Sequence, residues 1–124
     1  MNYFKHIYYA YFAGEKITWL GEGKYRITEY YDNGKKHWER DYLNRLPHGK
    51  DICWWENGKK FWEVDYLNGE LHGKAIGWHD NGKKHWEYDY LNGKLHGKAI
   101  RWYANGKKWW EDDYLNGKLI KTIL

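Results

Sequence analysis

The chain has 124 residues with a net charge of +4 and one cysteine, and 21% of its residues are aromatic. An aromatic content this high excludes a disordered chain, and the single cysteine, Cys53, excludes an internal disulfide and fits a reducing compartment. Ten Trp and 13 Tyr residues beside 31% charged residues favour a thin, elongated sheet over a sphere, and no apolar run approaches the length of a membrane span.

Residues 1–24 match the later pattern only weakly. Their aromatic run is rich in Tyr and lacks Leu and Val, so it does not predict a signal peptide, and we expect a cytoplasmic protein. Gly21-Glu22-Gly23-Lys24 stands where later segments have His-Gly-Lys. Because an ordinary end repeat would expose its stacking face, we predict that residues 1–24 are a degenerate N-terminal cap.

From residue 25 to residue 124, one pattern recurs every 24 residues. Each copy opens with Asn-Gly-Lys-Lys and continues at fixed distances with Trp-Glu, Asp-Tyr and Leu-Asn. The copies open at Asn33, Asn57, Asn81 and Asn105. A period in the twenties indicates one supersecondary unit stacked on copies of itself. We therefore predict tandem repeats over residues 25–124, with a truncated C-terminal unit.

Within a copy, Asn81-Gly82 lies between two stretches in which aromatic and polar residues alternate. This pattern predicts a two-residue hairpin loop in which both residues have positive φ. The predicted register places the following residues opposite each other: Gly77 and Trp86, Ala75 and Tyr88, and Lys74 and Asp89. Residues Asn92 to Gly97 are predicted to form a longer turn before the next strand. The predicted fold is all-β, an elongated single-layer antiparallel sheet of tandem 24-residue hairpins arranged as a solenoid.

The segment from Tyr90 to Ala99, Tyr-Leu-Asn-Gly-Lys-Leu-His-Gly-Lys-Ala, resembles the MORN (membrane occupation and recognition nexus) repeat. That repeat combines a Tyr-rich strand, a Gly-Lys-x-His-Gly turn and a second short strand. The resemblance covers residues 30–119, although the first turn, from Asn44 to Gly49, lacks the leading Gly. The Asn-Gly-Lys-Lys loop and the Glu after the Trp are similar to the bacterial and giant-virus variant, which includes toxin–antitoxin components.

The resemblance implies an elongated, groove-shaped sheet that binds or scaffolds proteins and is dimeric in some members. Lipid association has also been proposed for this family. No catalytic residue is implied, because such repeats have none.

The recurring rings are predicted to share one side of the sheet, which we call the aromatic face. Its rings cover the neighbouring small residues, and half-exposed Trp and Tyr also favour protein binding. The aromatic face consists of Trp38, Tyr42, Trp62, Tyr66, Trp86, Tyr88, Tyr90, Trp110 and Tyr114. Its composition is also similar to that of choline- and glucan-binding repeats, which leaves carbohydrate binding as an alternative.

The lysines after the Asn-Gly loops are predicted to follow one long side of the sheet, which we call the lysine edge. Its members are Lys35, Lys36, Lys59, Lys60, Lys83, Lys84, Lys107 and Lys108. Such an edge suits anionic lipids or the phosphates of nucleic acid, and exposed lysines also protect sheets against aggregation.

The recurring histidines and acids invite a metal or catalytic hypothesis. However, His48, His72 and His96 would lie about 10 Å apart across two strands, too far to share one zinc ion. Glu87 and Asp89 recur in each copy without a pocket that distinguishes one copy. We therefore predict no metal site, no catalytic residue, no cofactor and no small-molecule substrate.

Repetition without a differentiated site predicts a non-enzymatic module. We expect it to bind a partner protein through the aromatic face, and to form homodimers through an end strand. Peripheral binding of anionic membrane lipids or nucleic acid through the lysine edge is the alternative, with carbohydrate binding as a further one.

Overall fold

The computed structural model describes residues 8–12 and 14–124, with side chains for residues 14–124. These residues form eleven strands, and they contain no helix long and apolar enough to cross a membrane. The strands are β1 (Tyr8–Phe12), β2 (Glu15–Gly21), β3 (Lys24–Tyr30), β4 (Lys36–Leu43), β5 (Leu46–Trp54), β6 (Lys60–Leu67), β7 (Glu70–Trp78), β8 (Lys84–Leu91), β9 (Lys94–Trp102), β10 (Lys108–Leu115) and β11 (Lys118–Thr122).

The strands pair in chain order, so that each inner strand lies between the strands before and after it. Every pair is antiparallel, as tight turns between consecutive strands require. The prediction of an all-β, single-layer sheet of successive hairpins is confirmed. β1 and β2 belong to the same sheet, whereas residues 1–7 and 13 of the predicted cap lie outside the described residues, and its capping role stays a prediction.

The register predicted from the repeat is confirmed over most of each hairpin. Gly77 pairs with Trp86, and Lys74 pairs with Asp89. The Trp86 ring lies over Gly77, where an added Cβ would come within 2.6 Å of Cζ2. The Lys74 ammonium lies 3.2 Å from the Asp89 carboxylate. Large rings over small residues and opposite charges across the strands both favour this register.

The Asn-Gly-Lys-Lys loops differ from the predicted two-residue turn. The Gly82 N–H donates to the His79 carbonyl at 3.0 Å, and the His79 N–H donates to the Lys83 carbonyl at 2.9 Å. Within this loop only Gly82 has positive φ, at 85°, whereas Asn81 Oδ1 accepts a hydrogen bond of 2.9 Å from the Lys83 N–H. The result is a three-residue loop that ends in a left-handed Gly and continues into a bulge. The bulge pairs Trp78 with Lys84.

The second connection is shorter than predicted. Asn92 and Gly93, with φ of 50° and 79°, are the two residues between β8 and β9, so the two-residue turn lies here. His96 and Gly97 belong to β9, where the register shifts opposite the segment between Tyr88 and Tyr90. The first turn has the same geometry without Gly, because Arg45 adopts a φ of 70°.

The most deeply buried apolar side chains in this sheet are small ones beneath the rings. Ala75 and Ala99 are 3% and 0% exposed, whereas the rings of the aromatic face are half-buried. A single layer can bury only what its own large side chains cover. The rings therefore shield the small residues and keep one surface open to solvent.

Candidate functional site

The aromatic face is built by β4, β6, β8 and β10, which carry the predicted Trp and Tyr residues at alternating positions. Ring contacts connect the strands and their repeats. Trp86 stacks on Tyr88 with centroids 5.2 Å apart, and Tyr88 meets Trp110 edge-on at 6.4 Å. Near the N-terminus, Tyr42 stacks on Tyr25 at 5.0 Å. Alternation along each strand thus places the predicted rings on one face of the sheet, and these contacts join some of them.

A groove of about 400 Å³ runs across this face from β4 to β8, and we call it the aromatic groove. Five predicted rings line it: Trp62, Tyr66, Trp86, Tyr88 and Tyr90. Val64 and Ala75, only 9% and 3% exposed, form its floor. Leu71, which lies in β7, completes the apolar lining. Burial, together with Tyr88 and Tyr66 nearby, raises the pKa of the Tyr90 hydroxyl.

The N-terminal end of the aromatic groove carries an ion pair that the sequence analysis missed. Arg40 Nε donates to Asp51 Oδ2 at 2.5 Å, and Trp38 Nε1 donates to Asp51 Oδ1 at 2.8 Å. The Arg40 guanidinium carbon also lies 5.9 Å and 5.3 Å from the ring centroids of Tyr42 and Tyr66. Burial raises the pKa of the Asp51 carboxyl, and the bonds from Arg40 and Trp38 oppose that rise. This end therefore presents a cation held between rings.

The C-terminal side of the aromatic face has a different set of polar groups. Arg101 Nε donates to the Tyr88 hydroxyl at 2.6 Å. Asp112, in β10, is 5% exposed, and its Oδ1 has no hydrogen-bond partner among the described residues. The polar groups on this side thus differ from the Arg40–Asp51 ion pair at the other end.

The residue at the centre of the aromatic strand therefore differs from one repeat to the next. On the aromatic face, the position between the recurring Trp and Tyr holds Arg40, Val64, Tyr88 and Asp112. The residues paired with the first three on the next strand are Asp51, Ala75 and Ala99. The expectation of repetition without a differentiated site does not hold on this face. Its signal in the sequence is that these positions vary while the flanking Trp and Tyr stay constant.

The lysine edge consists of exposed side chains, but half of its charges are compensated. The second Lys of each pair contacts the Glu three residues later: Lys36–Glu39 at 2.9 Å, Lys60–Glu63 at 3.3 Å, Lys84–Glu87 at 2.9 Å and Lys108–Glu111 at 2.5 Å. Three of these ammonium groups also lie over Trp rings of the next strand, at 5.7 to 6.0 Å: Trp54, Trp78 and Trp102. These contacts leave mainly the first Lys of each pair for an external anion.

Two of the three recurring histidines support turns in the following repeat. The Asn68 N–H donates to His48 Nδ1 at 3.2 Å, and the Asn116 N–H donates to His96 Nδ1 at 3.3 Å. His48 and His96 thus each satisfy a backbone donor of a two-residue turn, whereas His72 Nδ1 is buried without a hydrogen-bond partner among the described residues. Across residues 14–124, no group of three or more His, Cys, Asp and Glu side chains is placed to hold a metal ion.

Neither a protein-family model nor a curated protein matches the chain. Among solved structures, a mutant of S. aureus TarM in complex with Fondaparinux, alpha-GlcNAc-glycerol and UDP is 15% identical, with a TM-score of 0.42; the match covers 75% of this chain and 21% of that one. A second TarM structure gives 15% identity, a TM-score of 0.42 and coverages of 74% and 21%. The chain spans about a fifth of these neighbours, and so distant a likeness carries no functional argument. The MORN resemblance stays a prediction.

Proposed function

We propose that the protein is a non-enzymatic module whose aromatic groove binds a segment of a partner protein. The observation that carries this proposal is a groove lined by five rings on a single-layer sheet. No second layer of described residues packs against these rings, so their outer surfaces are available to a ligand. Trp, Tyr and Arg are the residues that contribute most to binding energy in protein interfaces.

The lining indicates the chemistry of the bound segment. The floor of Val64 and Ala75 and the side chain of Leu71 favour apolar side chains at the centre of the groove. At the N-terminal end, Arg40 has more N–H donors than its contacts with Asp51 and Tyr42 require. We therefore expect an apolar segment that brings a hydrogen-bond acceptor to Arg40.

The other candidate surfaces and roles have weaker support. Four lysines of the lysine edge already contact Glu residues, which lowers the charge available to lipids or nucleic acid. A catalytic role has weaker support because the two charged residues in the groove lining, Arg40 and Asp51, form an ion pair with each other. The MORN resemblance agrees with a protein-binding role.

The proposal is tested by comparing variants for the partners that they capture. Tagged wild-type protein is incubated with extract from its source cells, and captured proteins are quantified by mass spectrometry. A Tyr66→Ala, Tyr90→Ala double variant removes two groove walls. Tyr103→Ala is the matched control, because this ring is 51% exposed and lies outside the groove lining.

We expect at least one protein to be enriched by both the wild type and Tyr103→Ala and lost with the double variant. If every enriched protein is captured equally by the groove variant, the proposal fails. Adding oligosaccharides to the wild type tests the alternative of carbohydrate binding, because a sugar bound in the groove would displace the captured protein.

A second candidate activity is self-association through β11. All five residues of this strand are exposed, including Leu119 and Ile120 at 54% and 60%. Exposed apolar strand edges pair readily with other chains. Sedimentation should show a wild-type dimer that Ile120→Lys converts to monomer. A wild type that stays monomeric at every concentration would exclude this contact.

A further inference from the structure

Pairs of rings form a row along the long side of the sheet that carries the Asn-Gly-Lys-Lys loops. In each repeat the residue before the loop stacks on a residue after it. The pairs are Tyr31–His37, Trp55–Phe61, His79–His85 and Tyr103–Trp109, with centroids 4.4, 4.1, 4.1 and 5.6 Å apart. These rings are not part of the aromatic groove.

Side-chain hydrogen bonds bridge two of the three junctions between successive loops. At the first junction, Tyr31 Oη donates to the Trp54 carbonyl at 2.6 Å, and Asn33 Nδ2 donates to the Glu56 carbonyl at 3.3 Å. The third junction has both equivalent bonds, from His79 Nε2 to the Trp102 carbonyl at 3.0 Å and from Asn81 Nδ2 to the Ala104 carbonyl at 2.8 Å. A ring and an Asn thus tie each of these loops to the next.

The junction between them lacks both bonds. Trp55 takes the position of Tyr31 and His79, and its Nε1 is buried without a hydrogen-bond partner. Within the described part of the chain, Asn57 makes its side-chain hydrogen bond only inside its own loop, to the Lys59 N–H. A cleft of about 570 Å³ opens at this junction, and we call it the loop cleft.

The loop cleft combines ring faces with carboxylates. Trp55 and Phe61, stacked 8° from parallel, line it together with Trp78. Glu56 and Asp80 are exposed in its lining, and neither carboxylate has an ion pair among residues 14–124. The lining as described contains no Lys or Arg. This composition is complementary to an organic cation, although the whole chain carries a net charge of +4.

We propose that the loop cleft binds a guanidinium group. A guanidinium is a planar, weakly hydrated cation that stacks on aromatic rings and donates paired N–H groups to carboxylates. Glu56 and Asp80 share the cleft lining with the Trp55 ring and can accept those N–H groups, whereas the Lys60 ammonium already lies over the Trp78 ring at 6.0 Å. The compact ammonium of lysine is more strongly hydrated and has no flat face to stack. An arginine side chain of a polypeptide and a free guanidinium compound share this chemistry.

Binding is measured from the indole N–H signals in two-dimensional NMR, at constant ionic strength and pH 7.5. The probes are methylguanidinium, a Gly-Arg-Gly peptide with blocked ends, and tetramethylammonium. Trp55→Phe and Trp78→Phe assign the two signals that should shift. We expect saturable shifts with both guanidinium probes, and affinity about fivefold lower in Glu56→Gln and in Asp80→Asn, the size of an exposed ion pair.

Asp32→Asn is the matched control, because Asp32 occupies the same loop position one repeat earlier and lies outside the lining of the loop cleft. It should bind both guanidinium probes as the wild type does. Tighter binding of the peptide than of methylguanidinium identifies a polypeptide source, and equal binding identifies a free compound. Shifts that do not saturate, tighter binding of tetramethylammonium, or an equal loss in Asp32→Asn would overturn the proposal.

Discussion

Substitution of Gly77 by Ala should destabilise the sheet by displacing Trp86. An added Cβ would lie 2.6 Å from Cζ2 of Trp86 and closer still to Cε2 and Nε1, whereas ordinary carbon contacts are about 3.5 to 4.0 Å. The ring therefore has to move by about 1 Å and loses its stacked position on Tyr88. Overpacking of this kind costs about 2 kcal/mol, and the better strand propensity of Ala returns about 0.5 kcal/mol.

The net loss of about 1.5 kcal/mol corresponds to a fall in Tm of about 6 °C for a domain of this size. Thermal unfolding followed by circular dichroism measures the fall. The same Gly77→Ala change is then made in a Trp86→Leu background, where the smaller side chain removes the clash and the Tm should hardly change. An equal fall in both backgrounds would refute the idea that the Trp86 ring determines the cost.

Three further predictions concern a turn, a histidine pair and the buried ion pair. Arg45→Gly should raise the free energy of unfolding by about 1 kcal/mol, because Arg45 has a φ of 70°, which is unfavourable for residues with a Cβ. The reciprocal Gly93→Arg should lower the Tm. An unchanged Tm in both variants would contradict the turn geometry. Burial, His79 and Arg101 lower the pKa of His85, so the unfolded chain binds a proton more readily and stability should fall as the pH drops below about 6.5. His85→Phe should reduce the fall in Tm between pH 7.5 and 5.5, and an identical fall would exclude His85 as its source. Asp51→Asn should lower the free energy of unfolding by about 3 kcal/mol, because it leaves Arg40 without its anion. Asp65→Asn, at the exposed contact with Lys50, should lower it by less than about 1 kcal/mol. Equal urea midpoints for the two variants would contradict this difference.

The strands and their register could be predicted because they depend on the repeat period and on side-chain size. Trp86 recurs at a fixed distance from the loop, and Gly77 leaves room for its ring. The two turns could not be distinguished in the same way. Asn-Gly occurs in both, at Asn81 and at Asn92, and each fits a two-residue loop. The bulge that pairs Trp78 with Lys84 decides between them, and it depends on packing between strands.

The rings of the aromatic groove could also be predicted from the period, but its polar groups could not. Arg40 and Asp51 are 11 residues apart, and their contact depends on a register that shifts just after Arg40. The ring pairs beside the loops were missed because their identities change from repeat to repeat, as with Trp55 and His79. A search for constant residues finds the scaffold, whereas variable positions between constant ones indicate the specific chemistry.

Photocrosslinking tests the central claim, that the aromatic groove is the surface that contacts the partner. A benzoylphenylalanine replaces Tyr88 inside the groove or, as the control, Tyr103 beside an Asn-Gly-Lys-Lys loop. After irradiation in cell extract, covalent adducts are identified by mass spectrometry. A groove that binds the partner predicts a single major adduct from position 88 and none from position 103. Equal adducts at both positions, or an adduct at position 103 alone, would contradict it.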